Sequence, residues 1–414
     1  MDSKSKERDI RQKALQQELG ELVDVVGPGP LVDLLLERAF QLNATDVHFD
    51  PDEGGIRIRL RVDGLLHAIL HVPAAQAAHM VSRIKLMGGM DITEKRLPQD
   101  GHISNLVMDT QRDIRVACGP TNYGERVVLR LMPGEQAFHR LDDLGFDDAQ
   151  LPLLKRFLNI PYGMILTVGP VGAGKSTTMY GCLDELNDPS KSICTIEDPV
   201  ERRMDGINQT QINTQIDFTF ARALRMLLRQ DPDVLMIGEI RDPETAQIGS
   251  RAGLAGTLVL STLHANDTTS TFDVLRGFNV PPMVIADSVY CVVTQRLLRK
   301  ICQNCKVAYQ PDEPQCEILG LDPEAAGTVE IYKGTGCDTC FGTGYLGRTA
   351  VFEVLGMDAD LRRAVLHHKP RLDILQIAKE KGMETLEMAA SRKVIAGQTS
   401  YEEMNRVLSA FPGE

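Results

Sequence analysis

Apolar residues alternate with arginine along Ile56-Arg-Ile-Arg-Leu-Arg-Val62, a period of two that predicts a strand with Arg57, Arg59 and Arg61 on one face. Three guanidinium groups on one face repel one another unless an acid or phosphate faces them; the alternative is a solvated edge strand. Upstream, Leu31-Val-Asp-Leu-Leu-Leu-Glu-Arg-Ala-Phe40 has helical periodicity, and Asp46-Val-His-Phe49 leads into the strand. Met1 to Val26, rich in Lys, Glu and Gln with scattered Leu, predicts a short exposed helix before the break at Gly27-Pro-Gly-Pro30. Downstream, Asp113-Ile-Arg-Val116 and Arg126-Val-Val-Leu-Arg-Leu131 read as two more strands. The expected order is a charged segment over 1–28, a small α+β domain over 29–133 and a polar, acidic linker over 134–150.

The pattern changes after the linker. Leu151 to Asn159 predicts a short helix, and four apolar runs follow at intervals: Met164–Val168, Ser192–Ile196, Val234–Ile237 and Thr257–Thr262. Continuous apolar runs that end in polar residues are the mark of parallel strands buried on both faces, whose carboxyl ends share one ligand-binding edge. An α/β core over 151–296 follows. Residues 351–414 are amphipathic and helical, as in Leu361-Arg-Arg-Ala-Val-Leu366 and Ile374-Leu-Gln-Ile-Ala378.

The first of these runs opens on Val168-Gly-Pro-Val-Gly-Ala-Gly-Lys-Ser-Thr177, which fits G-x-x-x-x-G-K-[ST] between a strand and a helix. Backbone N–H groups from Gly169 through Val171, Gly172, Ala173 and Gly174 to Thr177 would close on a β-phosphate at the helix start. Lys175 supplies a charge toward the β/γ-phosphates, and Ser176 a hydroxyl for Mg²⁺. The other runs end in Glu197, in Gly238-Glu239 and near His264, so these three side chains are expected to converge on the nucleotide. Glu239 is the candidate to position or deprotonate the attacking water, Glu197 the second choice, and His264 a candidate γ-phosphate sensor. Gly238 stands where a Mg²⁺-holding Asp is usual, so the metal would rely on Ser176, phosphate oxygens and waters oriented by Glu197 or Glu239.

Of nine cysteines, Cys302-Gln-Asn-Cys305 and Cys337-Asp-Thr-Cys340 form two C-x-x-C pairs, and Gly342 and Gly344 follow the second. Four thiolates suit a tetrahedral, structural Zn²⁺ with no open position for catalysis. The spacing predicts a zinc subdomain over 297–350 in which Glu313 to Lys333 makes an excursion of its own. Cys118, Cys182, Cys194, Cys291 and Cys316 lack metal spacing and read as core.

Composition narrows the classes. The 414 residues carry a net charge of -12, against a main role in coating nucleic acid, which needs surplus Lys and Arg. No apolar run is long enough to span a bilayer, and the first ten residues are charged where a signal peptide would be apolar, so a cytoplasmic protein is expected.

Several stretches together resemble the GspE/PilB-type secretion ATPases of type II secretion and type IV pilus assembly, over about residues 30–405. They are Ala44-Thr-Asp-Val-His48, Arg59-Leu-Arg-Val-Asp-Gly64, Arg96-Leu-Pro-Gln-Asp-Gly101, Tyr123-Gly-Glu-Arg126, Gly169–Thr177, Glu197-Asp-Pro-Val-Glu201, Arg229-Gln-Asp-Pro-Asp233, Gly238-Glu-Ile-Arg-Asp242, Ser261-Thr-Leu-His264, both C-x-x-C pairs and Gly342-Thr-Gly-Tyr-Leu-Gly-Arg348. The resemblance implies a RecA-like P-loop domain in a homo-hexameric ring, with ATP between it and the N-terminal domain. Glu239 would be the catalytic acid, Glu197 part of an acidic box and His264 part of a histidine box. Arg115 and Arg126 would reach the phosphates, and Arg222 or Arg225 a neighbouring site. It further implies peripheral association with the inner membrane through a platform protein that assembles pilin-like subunits, with a cytoplasmic docking protein as a further partner. Three departures accompany it: Thr257 replaces the first His of the histidine box, Ala117-Cys-Gly-Pro-Thr121 replaces Ser-Thr-x-Pro-Thr, and the chain is expected to lack the extra N-terminal docking domain of many relatives. The competing functions are a retraction or conjugation ATPase, against which the tetracysteine insertion speaks, a RecA-like helicase, and a nucleotide-gated scaffold without turnover.

Overall fold

The computed structural model describes residues 12–23, 25–107, 110–132, 140–325 and 327–409. It divides into two compact units, the first made of residues 1–137, 301–307 and 333–347, the second of residues 138–300, 308–332 and 348–414. Residues 1–11 and 24 of the stretch expected to form the first helix, and residues 133–139 around the start of the expected linker, lie outside the described residues.

In the first unit, helices α1 (Gln12–Val23) and α2 (Pro28–Gln41) precede strands β1 (Asp46–Asp52), β2 (Gly55–Val62) and β3 (Leu65–Pro73). Helix α3 (Ala74–Met87) and strands β4 (Gln99–Val107), β5 (Thr110–Thr121) and β6 (Gly124–Leu131) follow. The six strands form an antiparallel sheet in the order β3-β2-β1-β6-β5-β4. Its apolar positions join those of the helices in one core that includes Leu35, Phe49, Ile58, Leu60, Ile84 and Leu129. The expectation of an exposed first helix is corrected. Leu15, Leu19 and Val23, spaced by four, form one buried stripe of α1 against this core.

Strand β2 is interior, not an edge, and its arginine face is answered by acids on β1. Arg59 Nε donates to Asp50 Oδ2 at 2.8 Å, and Arg61 lies 3.5 Å from Asp46. From the opposite strand, Arg126 reaches Asp50 at 2.8 Å and Arg130 reaches Asp46 at 3.2 Å. Strands β3 and β4 carry no clear period of two and join through pairing with β2 and β5.

The cysteine-bearing segments belong to this first unit. The Phe341 ring packs against its core with its centroid 4.9 Å from that of His67, and Gly347 N donates to Asp63 Oδ2 at 2.6 Å. The expected 297–350 subdomain is therefore shared, with residues 308–332 belonging to the second unit. There Leu319 and Ile331 join Leu298, Val351, Ala390 and Val394 in a satellite core, so the excursion is packed rather than independent.

The second unit contains α4 (Gln150–Leu158), β7 (Gly163–Val168), α5 (Lys175–Leu186), β8 (Ile193–Glu197), β9 (Asn208–Gln211), α6 (Phe220–Leu227), β10 (Val234–Ile237), α7 (Pro243–Leu254) and β11 (Leu258–Leu263). It continues through α8 (Ser270–Gly277), α9 (Pro282–Ser288), β12 (Val289–Ile301), β13 (Lys306–Tyr309), α10 (Glu313–Leu319), β14 (Ile331–Gly334) and β15 (Tyr345–Gly356) to helices α11 (Ala359–Leu366), α12 (Arg371–Glu380), α13 (Leu386–Ile395) and α14 (Tyr401–Leu408), the parts of β12 to β15 within 301–307 and 333–347 counting with the first unit. Its sheet runs β15-β12-β7-β11-β10-β8-β9, with β12, β7, β11, β10, β8 and β9 successively parallel. The fold is α/β, with the strand ends after β7, β8, β10 and β11 on one edge, as the apolar runs predicted.

Candidate nucleotide-hydrolysis site

Strand β7 is buried along its whole length between β11 and β12, and the loop after it turns through Gly169, Gly172 and Gly174 at φ 151°, 77° and 89°. These angles favour glycine. At Gly169 a Cβ would also come within 2.8 Å of Gln295 O and 3.1 Å of Ala173 Cβ. Helix α5 starts at Lys175 directly beyond Gly174, which leaves its first N–H groups without helical partners, as a phosphate cradle requires. Gln295, 1% exposed, underlies the loop: its Nε2 donates to Ala173 O at 2.7 Å and its Oε1 accepts from Thr178 Oγ1 at 2.7 Å. Val171 is exposed at the loop tip.

Lys175 Nζ donates to Gly169 O at 2.8 Å and Pro170 O at 3.0 Å. Burial lowers the pKa of this ammonium, and the charge of Glu239 partly restores it, so the two groups sense each other across the site.

Glu239 follows β10. Its carboxylate pairs with Arg241 and lies 3.7 Å from His264 Nε2 beyond the end of β11. Glu239 is 19% exposed and His264 49%, so the pair opens to solvent where a phosphate and a water could enter. The Gly238 backbone is clamped: its N–H donates to Ile196 O at 2.7 Å and its carbonyl accepts from Thr262 Oγ1 at 2.7 Å. A Cβ there would sit 3.1 Å from Ile196 O, a tight contact that a larger residue would relieve only by moving that carbonyl a few tenths of an ångström.

Glu197 ends β8 and is buried. Its carboxylate accepts from Tyr180 Oη, from Thr195 Oγ1 at 2.6 Å and from Gln209 Nε2 at 3.1 Å. With three donors on it, this carboxylate is suited to hold structure rather than to move a proton. Burial, and after it the charge of Glu197, raises the Tyr180 phenol well above its ordinary pKa, so it stays a donor. The Tyr180 oxygen accepts in turn from the N–H groups of Glu201 at 3.0 Å and Arg202 at 3.2 Å. The loop so held brings Glu201 Oε1 to 3.4 Å from Ser176 Oγ. A hydroxyl and a carboxylate oxygen side by side are the hard donors that Mg²⁺ prefers.

Arg126 and Arg115 lie in the first unit, Arg126 on Asp50 and Arg115 directly opposite Arg130 in the β5–β6 pairing. Arg222 pairs with Asp217 at 3.0 Å and Arg225 with Glu244. Thr257 precedes β11 and is buried at the end of that strand opposite His264, so its departure from the histidine box does not touch the phosphate edge.

Cys302, Cys305, Cys337 and Cys340 come together with all four Sγ atoms within 4.8 Å of one another. Three of the S···S distances are 3.8, 3.8 and 3.7 Å, and a tetrahedron with Zn–S bonds of about 2.3 Å requires edges of about 3.8 Å. The N–H groups of Cys337 and Gly344 both point at Cys340 Sγ, at 3.2 Å each, as donors to a thiolate would. The donor set therefore fits zinc.

The family model described as "Type II/IV secretion system protein" matches residues 27–406. The chain belongs to that family. It is 42% identical over 373 residues to the type IV pilus assembly ATPase PilB of Thermus thermophilus, a match covering 90% of this chain and 42% of that one. It is also 42% identical over 377 residues to the type II secretion system protein E of Pseudomonas aeruginosa, covering 91% of this chain and 74% of the relative. The chain thus spans less than half of the Thermus protein. Among solved structures, the pilus retraction motor PilT with bound ADP superposes with a TM-score of 0.64 at 23% identity, covering 92% of this chain and 97% of that one. The Legionella pneumophila ATPase DotB does so with a TM-score of 0.69 at 18% identity, covering 92% and 96%. At these identities the two show the fold alone, a P-loop α/β domain that follows a smaller α+β domain in the chain. The cysteine cluster is compatible with zinc. Among the described residues no helix is long and apolar enough to cross a membrane.

Tyr180 and Gln295 escape a reading by motif, while Glu201 and Arg241 lie inside quoted stretches that gave them no role. A signal for Gln295 exists all the same. It closes the apolar run that becomes β12, as Glu197 closes that of β8.

Proposed function

We propose that this chain is an ATP-hydrolysing motor that forms a hexameric ring and powers the assembly of pilin-like filaments, in type II secretion or type IV pilus biogenesis. The observation that carries the reading is Glu239: it lies beside His264, pairs with Arg241 and is electrostatically coupled to Lys175 of the P-loop. Lys175 and the N–H groups from Gly169 to Thr177 hold the phosphates, and Glu239 takes the proton of the attacking water or orients it. His264 donates to the γ-phosphate, and Arg241 holds the Glu239 carboxylate in place by their ion pair until a nucleotide arrives. Ser176 and Glu201 would hold Mg²⁺, directly or through water, and the ion supplies charge neutralisation at the phosphates. Glu197 positions the acidic loop through Tyr180.

Arg115 and Arg126 are proposed to reach the phosphates and Arg222 or Arg225 a neighbouring subunit's site. Zinc at Cys302, Cys305, Cys337 and Cys340 is proposed as structural. The ring is proposed to work at the cytoplasmic face of the inner membrane, recruited by a platform protein. The 42% identity to both a pilus assembly ATPase and a type II secretion protein supports this class without dividing it. Hydrolysis of MgATP per subunit, measured over a range of protein concentrations, tests it. A rate that rises with concentration and disappears in Glu239→Gln supports a ring-forming motor; ATP binding without turnover, with the membrane partner supplied, overturns it.

A further inference from the structure

Strand β12 lies parallel to β7, with Thr294 opposite Val168, so Gln295 and Arg296 run alongside the first residues of the P-loop. Gln295 grips the loop from below through Ala173 and Thr178. Arg296 is 4% exposed, unusual for a guanidinium. Its Nη1 donates to Gln295 O at 3.0 Å and lies 3.3 Å from where a Cβ on Gly169 would be. Its Nη2 donates to Asn266 O at 2.7 Å, and Asn266 is two residues beyond His264. The same loop is anchored on its far side, where Thr268 N and Oγ1 donate to the buried carboxylate of Glu353 at 3.2 and 2.6 Å.

We propose that Arg296 is a positioning residue that braces the P-loop against the His264 loop, so that occupancy of the β-phosphate cradle sets the place of the γ-phosphate sensor. The inference rests on the reading of the site as an ATP hydrolase. The brace runs through Gln295: one arm of the planar fork holds the carbonyl of Gln295, whose side chain grips the P-loop, and the other holds Asn266 O in the His264 loop. A lysine carries the same charge on one point and cannot hold both. The simpler role for a buried arginine here is to balance the charges of Glu353 and Asp267, which face it together with Glu387. Arg296→Lys separates the two roles, because it keeps the charge and removes the second arm.

The experiment is backbone hydrogen exchange on the full chain, with and without ADP, for the wild type and Arg296→Lys, alongside ADP affinity, thermal melting and MgATP turnover. ADP fills the cradle and carries no γ-phosphate, so any effect on residues 264–267 has to travel through the protein. The expected result is that ADP slows exchange at 264–267 by about threefold or more in the wild type and not in the variant, with ADP affinity within about twofold. Turnover falls about tenfold in kcat with little change in KM, the mark of a lost transition-state geometry. Wild-type exchange at 264–267 that ignores ADP, or equal protection in the variant, overturns the brace. Should the lysine variant fail to fold, Arg296→Gln is measured in the same way, and equal ADP protection there overturns it too. Wild-type protein that shows the exchange coupling but no turnover with its membrane partner leaves the brace standing and fails the hydrolase reading instead.

Discussion

Tyr180 donates its phenolic hydrogen to the carboxylate of Glu197, and the same oxygen receives the N–H groups of Glu201 and Arg202. One hydroxyl on the P-loop helix thereby holds the acidic loop that carries Glu201 toward Ser176. Tyr180→Phe should leave a buried carboxylate one donor short, at a cost of about 1–3 kcal/mol, and lower the melting temperature. It should also raise the Mg²⁺ concentration needed for half-maximal hydrolysis, because Glu201 loses its support. Unchanged melting together with an unchanged Mg²⁺ requirement would count against this assignment.

Glu239→Gln keeps the shape of the side chain and removes its basicity. ATP affinity should stay within about threefold while turnover falls by about 10²–10⁴. Glu197→Gln should act differently: because Glu197 is an acceptor in a buried cluster, the change should show first in thermal stability. Equal losses of turnover at equal stability in the two variants would mean that Glu197 shares the chemistry.

The four cysteines should hold about one zinc per chain, measurable by elemental analysis of the purified protein. Cys337→Ser should reduce that content and lower stability. The first unit should loosen before the second, because Phe341, in the turn after Cys340, packs into its core. Protease cleavage mapped to residues 1–137 would report this order.

Glu403, at the start of α14, sets up a dependence on pH. Burial alone would raise its carboxyl pKa, but hydrogen bonds from Arg406 and Arg299 at 2.6–2.7 Å outweigh burial and hold it below the ordinary value. A depressed folded-state pKa means that the stabilisation is complete above the unfolded value, about 4.3, and is lost as pH falls through the folded one. The gap in melting temperature between the wild type and Glu403→Gln should therefore be constant from neutral pH to about pH 5 and close below about pH 4. A gap that persists at acid pH would assign the effect to packing.

The parts of the fold that were legible are those whose environment leaves a one-dimensional trace. Strands β7, β8, β10 and β11 are buried on both faces and read as unbroken apolar runs, and each ends at a chemically distinct residue. Strands β3 and β4 are placed by their neighbours, and Gln99-Asp-Gly-His102 has no local reason to be extended. The arginines of β2 were visible, while the acids that answer them sit on another strand. Their pairing depends on a register in which Asp46 lies opposite Arg61 on one side and Arg130 on the other. At the site, motif spacing located the phosphate loop, Glu239 and His264. It missed Tyr180, which works through a hydroxyl at the far end of a side chain that composition counts as core.

The first unit is assembled from pieces far apart in the chain, residues 1–137 with 301–307 and 333–347. During synthesis its sheet emerges early, but the segment bearing Phe341 and Gly347, which covers His67 and Asp63, is made about 200 residues later. At about 5–20 residues per second the nascent unit waits about 10–40 s with that surface bare, while the ATPase core forms behind it. The same order of manufacture rules out a simple dissection: a fragment starting at residue 138 would carry the cysteine knuckle without its seat, and one ending at 137 would carry the seat alone.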